Sequence, residues 1–191
     1  MIIKLNEIIP KSNCKESDIE HLYIIDSKHD NNGNVDLCED EPTIKYFYLE
    51  NPNKINIFFN GFLECALQNE IGNYSRQCEC VLFSAPYTDG NWILFIETKY
   101  VTNIENAFRE NNDYPNCMVD QIVKTVTFFR NKGIIDDRTV NAIVSFPTLI
   151  QDFGAYFFTG KLSIEDILID HKIRIRATNS ALVKSAKRIK F

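Results

Sequence analysis

Residues 77–100 constrain the fold of this chain more than any other stretch. Cys80-Val-Leu-Phe83 is apolar, Thr88-Asp89-Gly90-Asn91 carries turn chemistry, and Trp92-Ile-Leu-Phe-Ile96 is apolar again. Two apolar runs joined through Asp-Gly predict a β-hairpin. The second run is apolar on both faces, as in a buried central strand, yet it closes on Glu97-Thr98-Lys99. Side chains alternate along a strand, so Glu97 and Lys99 share one face and Thr98 takes the other. Two charges at the end of a buried strand are costly unless they pair or hold something charged. Glu79 on the neighbouring strand can complete such a site, with Cys78 and Cys80 expected together on the opposite face. Two carboxylates hold a divalent cation through oxygen, and a lysine steadies an anionic oxygen beside it. That is the apparatus of metal-assisted phosphodiester hydrolysis.

The flanking sequence extends the hairpin into a domain. Pro115 suits the first turn of a helix, Met118, Ile122, Val126 and Phe129 form one apolar stripe, and Gly133 is a C-cap. Thr139–Phe146 then reads as a buried strand. A helix between two strands favours a parallel crossover, so a hairpin, a helix and a strand predict a mixed sheet flanked by helices, in the α/β (α+β) class. Ile44–Leu49 reads as a strand, and Ile55–Phe59 as a strand or the entry to a helix running through Leu67. Residues 1–40 read as short helical pieces and polar loops, with Ser17–Glu20 starting one helix toward Leu22 and Ile25. His29–Asn34, Glu39–Pro42 and Asn69–Asn73 read as loops or turns, and residues 101–114 as a polar, mostly irregular connection. Ser163 is an N-cap with Asp166 at the third helical position. Ile173–Arg176 alternates as a strand with both arginines on one face, and Asn179-Ser180 opens a last short helix or loop.

A length of 191 residues suits a single domain, with a core at 44–150, an N-terminal addition at 1–43 and a C-terminal addition with a basic tail at 151–191. No apolar stretch is long enough for a membrane span, and the N-terminus lacks a signal-peptide layout, so a cytoplasmic protein with reduced thiols is expected. Cys78 and Cys80 are expected as small core residues, because zinc would need a second ligand pair. The three histidines show no ligand spacing. Net charge is −5, but residues 171–191 carry +7 and no acid, leaving −12 on the other 170. That basic segment can contact phosphates or fold back on the acidic body.

The acid, apolar strand, turn, second apolar strand and Glu-x-Lys together resemble the PD-(D/E)XK nuclease superfamily, over roughly residues 55–146. The family usually has Asp where Glu79 stands, one methylene shorter. The resemblance implies a restriction-endonuclease-like αβββαβ core. It implies Mg²⁺ (or Mn²⁺) held by Glu79, Glu97 and the strand carbonyl beside Thr98, with Lys99 orienting the attacking water and stabilising charge on the phosphate. Glu64, on a helix before the sheet, would supply an outer metal contact, with Glu70 next in line. Asp89 is the alternative first acid, in a turn where Asp is common for turn reasons alone. Gln121 resembles the glutamine of RecB-type branches, with Thr125 where those usually carry Tyr. Gln121, Lys124, Thr125 and Phe128 are expected on a helix face away from the apolar stripe, and Tyr100 as core packing. The implied activity is metal-dependent nuclease action on nucleic acid, with DNA the expected substrate. A homodimer or partner subunit would supply specificity, and phage defence would be the setting. The alternatives are the same fold with a lapsed site, binding nucleic acid or protein, and an interaction domain of unrelated fold.

Overall fold

The hairpin lies at the centre of a six-stranded sheet. The computed structural model describes residues 1–9, 12–27, 35–68, 72–150, 152–158 and 163–191. The His29–Asn34 loop, Glu70 and most of the Asn69–Asn73 turn fall outside them. The elements run α1 (Ile2–Ile8), β1 (Ser12–Ser17), β2 (His21–Asp26), β3 (Val35–Cys38), β4 (Phe47–Glu50), β5 (Ile57–Phe62), β6 (Cys80–Ser84), β7 (Ile93–Thr98) and α2 (Ile104–Ala107). They continue with α3 (Tyr114–Asn131), β8 (Val140–Ser145), α4 (Gly154–Phe157), α5 (Ile164–His171), β9 (Ile173–Ala177), β10 (Ser180–Ser185) and β11 (Arg188–Lys190).

Two mixed sheets result, in an α+β fold. The first has the order β1-β5-β6-β7-β8-β9 and the second β11-β10-β4-β2-β3. In the first, β5, β6 and β7 are antiparallel neighbours, α3 crosses over, and β8 and β9 run parallel to β7. Alternation along β6 and β7 splits the interior into two cores. Val81, Phe83, Ile93 and Phe95 face the helices, packing with Leu5 of α1, Met118, Ile122 and Phe129 of α3 and Ile167 of α5. Leu82, Leu94 and Ile96 face the second sheet, packing with Leu22, Ile24, Phe47, Leu49 and Val183. The layers are therefore helices, six-stranded sheet and five-stranded sheet. Gly61 marks how closely the sheets approach, since a Cβ there would sit 2.5 Å from the Val35 carbonyl oxygen of β3.

The α3 stripe folds as its spacing predicts, and Gly133 leaves the helix at φ +63. Ser163 accepts a hydrogen bond from the Asp166 N–H at 3.2 Å, the N-cap read from sequence. Residues 57–62 take the strand reading rather than the helical one. Residues 101–114 are mostly irregular as expected, with one short helix, α2, capped by Asn103 accepting from the Asn106 N–H at 2.8 Å. Two expectations are corrected. Residues 12–26 form β1 and β2, not a helix from Ser17, because Leu22 and Ile24 are buried two apart, which is strand periodicity. Residues 179–191 form β10 and β11, because Ala181 and Val183 alternate into the core and β10 adds in parallel to β4. The basic segment is thus built into both sheets. Arg174 and Arg176 are exposed on β9, whereas Lys184, Arg188 and Lys190 are exposed on β10 and β11. No helix of the described residues is long and apolar enough to cross a membrane. The six cysteines are free.

Candidate active site

Cys80 of β6 pairs with Ile96 of β7, so the residue before Cys80 and the residue after Ile96 meet at one end of the hairpin. The main chain keeps the ladder beyond the named strands. The Glu79 N–H donates to the Ile96 carbonyl at 2.9 Å, the Phe62 N–H to the Glu79 carbonyl at 2.9 Å, and the Lys99 N–H to the Ser145 carbonyl at 3.0 Å. Glu79 and Glu97 are both buried, at 2% and 0% exposure. Lys99 reaches them from a partly open position, its Nζ 2.5 Å from Glu97 Oε1 and 3.8 Å from Glu79 Oε1. The three side chains expected to converge therefore do so. Burial lowers the pKa of the Lys99 ammonium, but the carboxylates of Glu97 and Glu79 outweigh this and hold it above the ordinary lysine range. Two buried carboxylates meet one ammonium here, where little water reaches.

Glu79 is positioned by α3. Gln121 donates through Nε2 to the Gln77 carbonyl at 2.7 Å, and the Cys78 N–H donates to Thr125 Oγ1 at 2.9 Å. Thr125 in turn donates to the Gln121 carbonyl at 2.8 Å. Residues four apart share a helix face, so this pair grips the Gln77–Cys78 peptide by both its carbonyl and its N–H. Gln77 extends the grip, its side chain accepting from the Leu67 N–H at 3.0 Å and donating to the Leu63 carbonyl at 2.7 Å. Two expectations change with this. Thr125 is fully buried against the sheet, not on the face away from the stripe, and Gln121 is committed to the main chain. Cys78 and Cys80 do not share a face: the chain bends at Glu79, which sends Cys78 to the helix-side core and Cys80 to the inter-sheet core. Burial holds both thiols well above the usual range, as small core residues. Thr125→Val keeps the shape but leaves the Cys78 N–H unpaired. It should cost about 1–3 kcal/mol, read as a lowered melting temperature, together with reduced activity through a displaced Glu79.

The remaining candidates lie elsewhere or act differently. Glu64 is exposed on a turn after β5 rather than on a helix. Asp89 is exposed in the β6–β7 turn, at the opposite end of β7 from Glu97; six strand residues at about 3.3 Å each separate the two ends. Asp89 is therefore not the first acid. Thr98 lies next to Glu97 on the other face of β7, buried, its Oγ1 without a hydrogen-bond partner among the described residues. Tyr100 joins the sheets instead of packing on aromatic rings: its hydroxyl donates to the Lys45 carbonyl at 2.9 Å and accepts from the Asp26 N–H at 3.1 Å. Asp26 is the residue that sequence reasoning missed. It ends β2 beside Tyr100, and its charge acts on Lys99 and Cys80. The signal was present, because Asp26 closes the apolar run Leu22–Ile25 as Glu97 closes its own. Reading residues 17–25 as helical hid it.

In donor chemistry the site suits a hard divalent cation, with two buried carboxylates that offer oxygen ligands. Among the described residues no group of three or more His, Cys, Asp or Glu is arranged to hold a metal ion. A cation bound here would therefore complete its shell with backbone oxygen, water and substrate, as Mg²⁺ commonly does. Comparison with protein-family models, curated proteins and solved structures returns no match.

Proposed function

We propose that this protein is a metal-dependent nuclease of the PD-(D/E)XK type that hydrolyses phosphodiester bonds, with DNA as the expected substrate. The observation that carries the reading is the meeting of Glu79, Glu97 and Lys99 at one buried strand end. The order β5, β6, β7, α3, β8, interrupted by the short α2 and with β8 parallel to β7, supports it as the βββαβ part of the αβββαβ order that the resemblance implies; β1–β4 stand between α1 and this run. Free thiols fit the cytoplasm, where we place the protein. A second copy or a partner subunit would supply specificity, and phage defence would be the setting.

Glu79 and Glu97 would hold Mg²⁺ or Mn²⁺, with the main-chain oxygen beside Thr98. The ion would supply Lewis acidity to the phosphate and lower the pKa of its water. Lys99, already drawn to both carboxylates, is placed to donate to a non-bridging phosphate oxygen and to stabilise charge there as the water oxygen adds and the P–O bond to the leaving sugar breaks. Gln121 and Thr125 would act by holding the segment that leads into Glu79. Plasmid and single-stranded DNA should be cut with Mg²⁺ or Mn²⁺ and left intact in EDTA. No cutting of either substrate by well-folded protein with either ion would reject this reading, in favour of a binding module with a lapsed site.

A further inference from the structure

The outer face of the five-stranded sheet carries a file of aromatic rings that the site chemistry does not use. Leu22 and Ile24 of β2, and Phe47 and Leu49 of β4, point into the core. Tyr23, Tyr46 and Tyr48 therefore point outward. Tyr23 and Tyr48 are directly opposed across the ladder, with ring centroids 5.7 Å apart. Tyr46 lies 4.8 Å from Tyr23 on one side, and His21 lies 6.0 Å from Tyr48 on the other. The file starts near the candidate active site, since Tyr100, next to Lys99, is bonded to the carbonyl of Lys45, next to Tyr46.

A cationic strip borders the rings. β10 lies against β4 and β11 against β10, and Lys184, Lys187, Arg188 and Lys190 are exposed there. Among the described residues none of these four takes part in an ion pair. Between rings and strip is a hollow of about 330 Å³, lined by Tyr48, Ser180, Leu182 and Lys190 among others, a volume at the low end for small-molecule sites. Glu50 also lines it, which directs phosphates to the β11 side.

We infer that this face binds single-stranded nucleic acid, its bases stacked on Tyr23, Tyr46 and Tyr48 and its phosphates along Lys184, Lys187, Arg188 and Lys190. Aromatic rings beside a cationic track are the general means of holding a single strand. A duplex keeps its base faces stacked inside and has nothing to offer the tyrosines. The inference rests on the nuclease reading for its direction: a strand on these rings leads to Lys99 and makes single strands the preferred substrate.

The test is fluorescence anisotropy with labelled oligothymidylate and oligouridylate of about 15 nucleotides, near the upper single-strand site size, and a duplex of equal length, all in EDTA. Wild type should bind both single strands more tightly than the duplex. Tyr23→Ala and Tyr48→Ala should each weaken single-strand binding about tenfold and leave duplex binding unchanged. Tyr23→Phe and Tyr48→Phe should stay within about twofold, because stacking needs the ring and not the hydroxyl. Replacing Lys187, Arg188 and Lys190 by Ala should weaken binding and flatten its salt dependence. Folding is checked by thermal melts; if an Ala variant unfolds, the Phe variants and the cation variant decide. Equal single-strand affinity in the Ala variants, a loss in Phe variants as large as in Ala variants, or no preference of wild type for single strands would overturn the inference. No bond breaks in EDTA, so single-strand binding without any metal-dependent cleavage supports this face and rejects the nuclease reading. Cleavage that persists while Tyr→Ala leaves affinity unchanged does the reverse.

Discussion

Lys99→Ala should reduce Mg²⁺-dependent cleavage by about 10²–10³-fold, the scale for removing one donor to transition-state charge, and should also make the fold dependent on metal. The second effect follows from burial. Glu97 and Glu79 are 0% and 2% exposed, and Lys99 Nζ is within 4 Å of an oxygen of each. Removing the ammonium takes a cation away from two buried carboxylates. Breaking a buried pair costs about 3–5 kcal/mol, and the partial exposure of Lys99, 28% of its side chain, puts the cost toward the lower end. The variant should melt several degrees below wild type in EDTA and recover most of the difference in millimolar Mg²⁺. The raised pKa of Lys99 sets a matching pH dependence. Its contribution is fully present below its ordinary value of 10.5 and is lost as pH climbs through the higher folded value. Wild type should therefore lose stability at alkaline pH through a step that Lys99→Ala lacks. Wild-type cleavage by the variant, or a melting temperature indifferent to metal, would count against the role given to Lys99.

Glu97→Gln should have the opposite metal response with a similar loss of activity. Its carboxylate is fully buried and 2.5 Å from the ammonium, and the amide removes its charge while keeping the shape. In EDTA the variant should lose less stability than Lys99→Ala, because the amide oxygen can still accept from the ammonium. At a metal concentration 100 times Kd, wild type gains about 2.7 kcal/mol from binding, and Glu97→Gln should gain almost none. Cleavage should fall about 10²-fold or more, because the metal that supplies the Lewis acid is no longer held. Differential scanning fluorimetry with and without Mn²⁺ measures both terms. An unchanged metal response in Glu97→Gln would mean that the carboxylates only neutralise Lys99.

The parts of the site that lie close in sequence were legible. Glu97, Thr98 and Lys99 sit on one strand, so period-two alternation orders them, and the hairpin returns Glu79 to the same end. The support of Glu79 was not legible in the same way. Gln121 and Thr125 stood out on α3, but their partners, the carbonyl of Gln77 and the N–H of Cys78, lie 44 and 47 residues away. A main-chain group leaves no trace in residue type. Asp26 did leave a mark, as the charge that closes an apolar run, but its distance from Lys99 depends on how β2 docks over β6 and β7.

The sequence alone determined the α+β class, the central hairpin, α3 with its apolar stripe, the N-cap at Ser163, and the charges that break an otherwise apolar strand. These are local properties, set by period, turn chemistry and capping among near neighbours. Only the tertiary structure decided that there are two sheets. Strands β2, β3, β10 and β11 have 3–6 residues each, too short for periodicity to separate from loop. Their hydrogen bonds join β2 to β4 and β4 to β10 across long stretches of chain, so what commits them to strand is a partner and not their own composition. That packing builds the basic C-terminal segment into two sheets and lines the outer face with tyrosines.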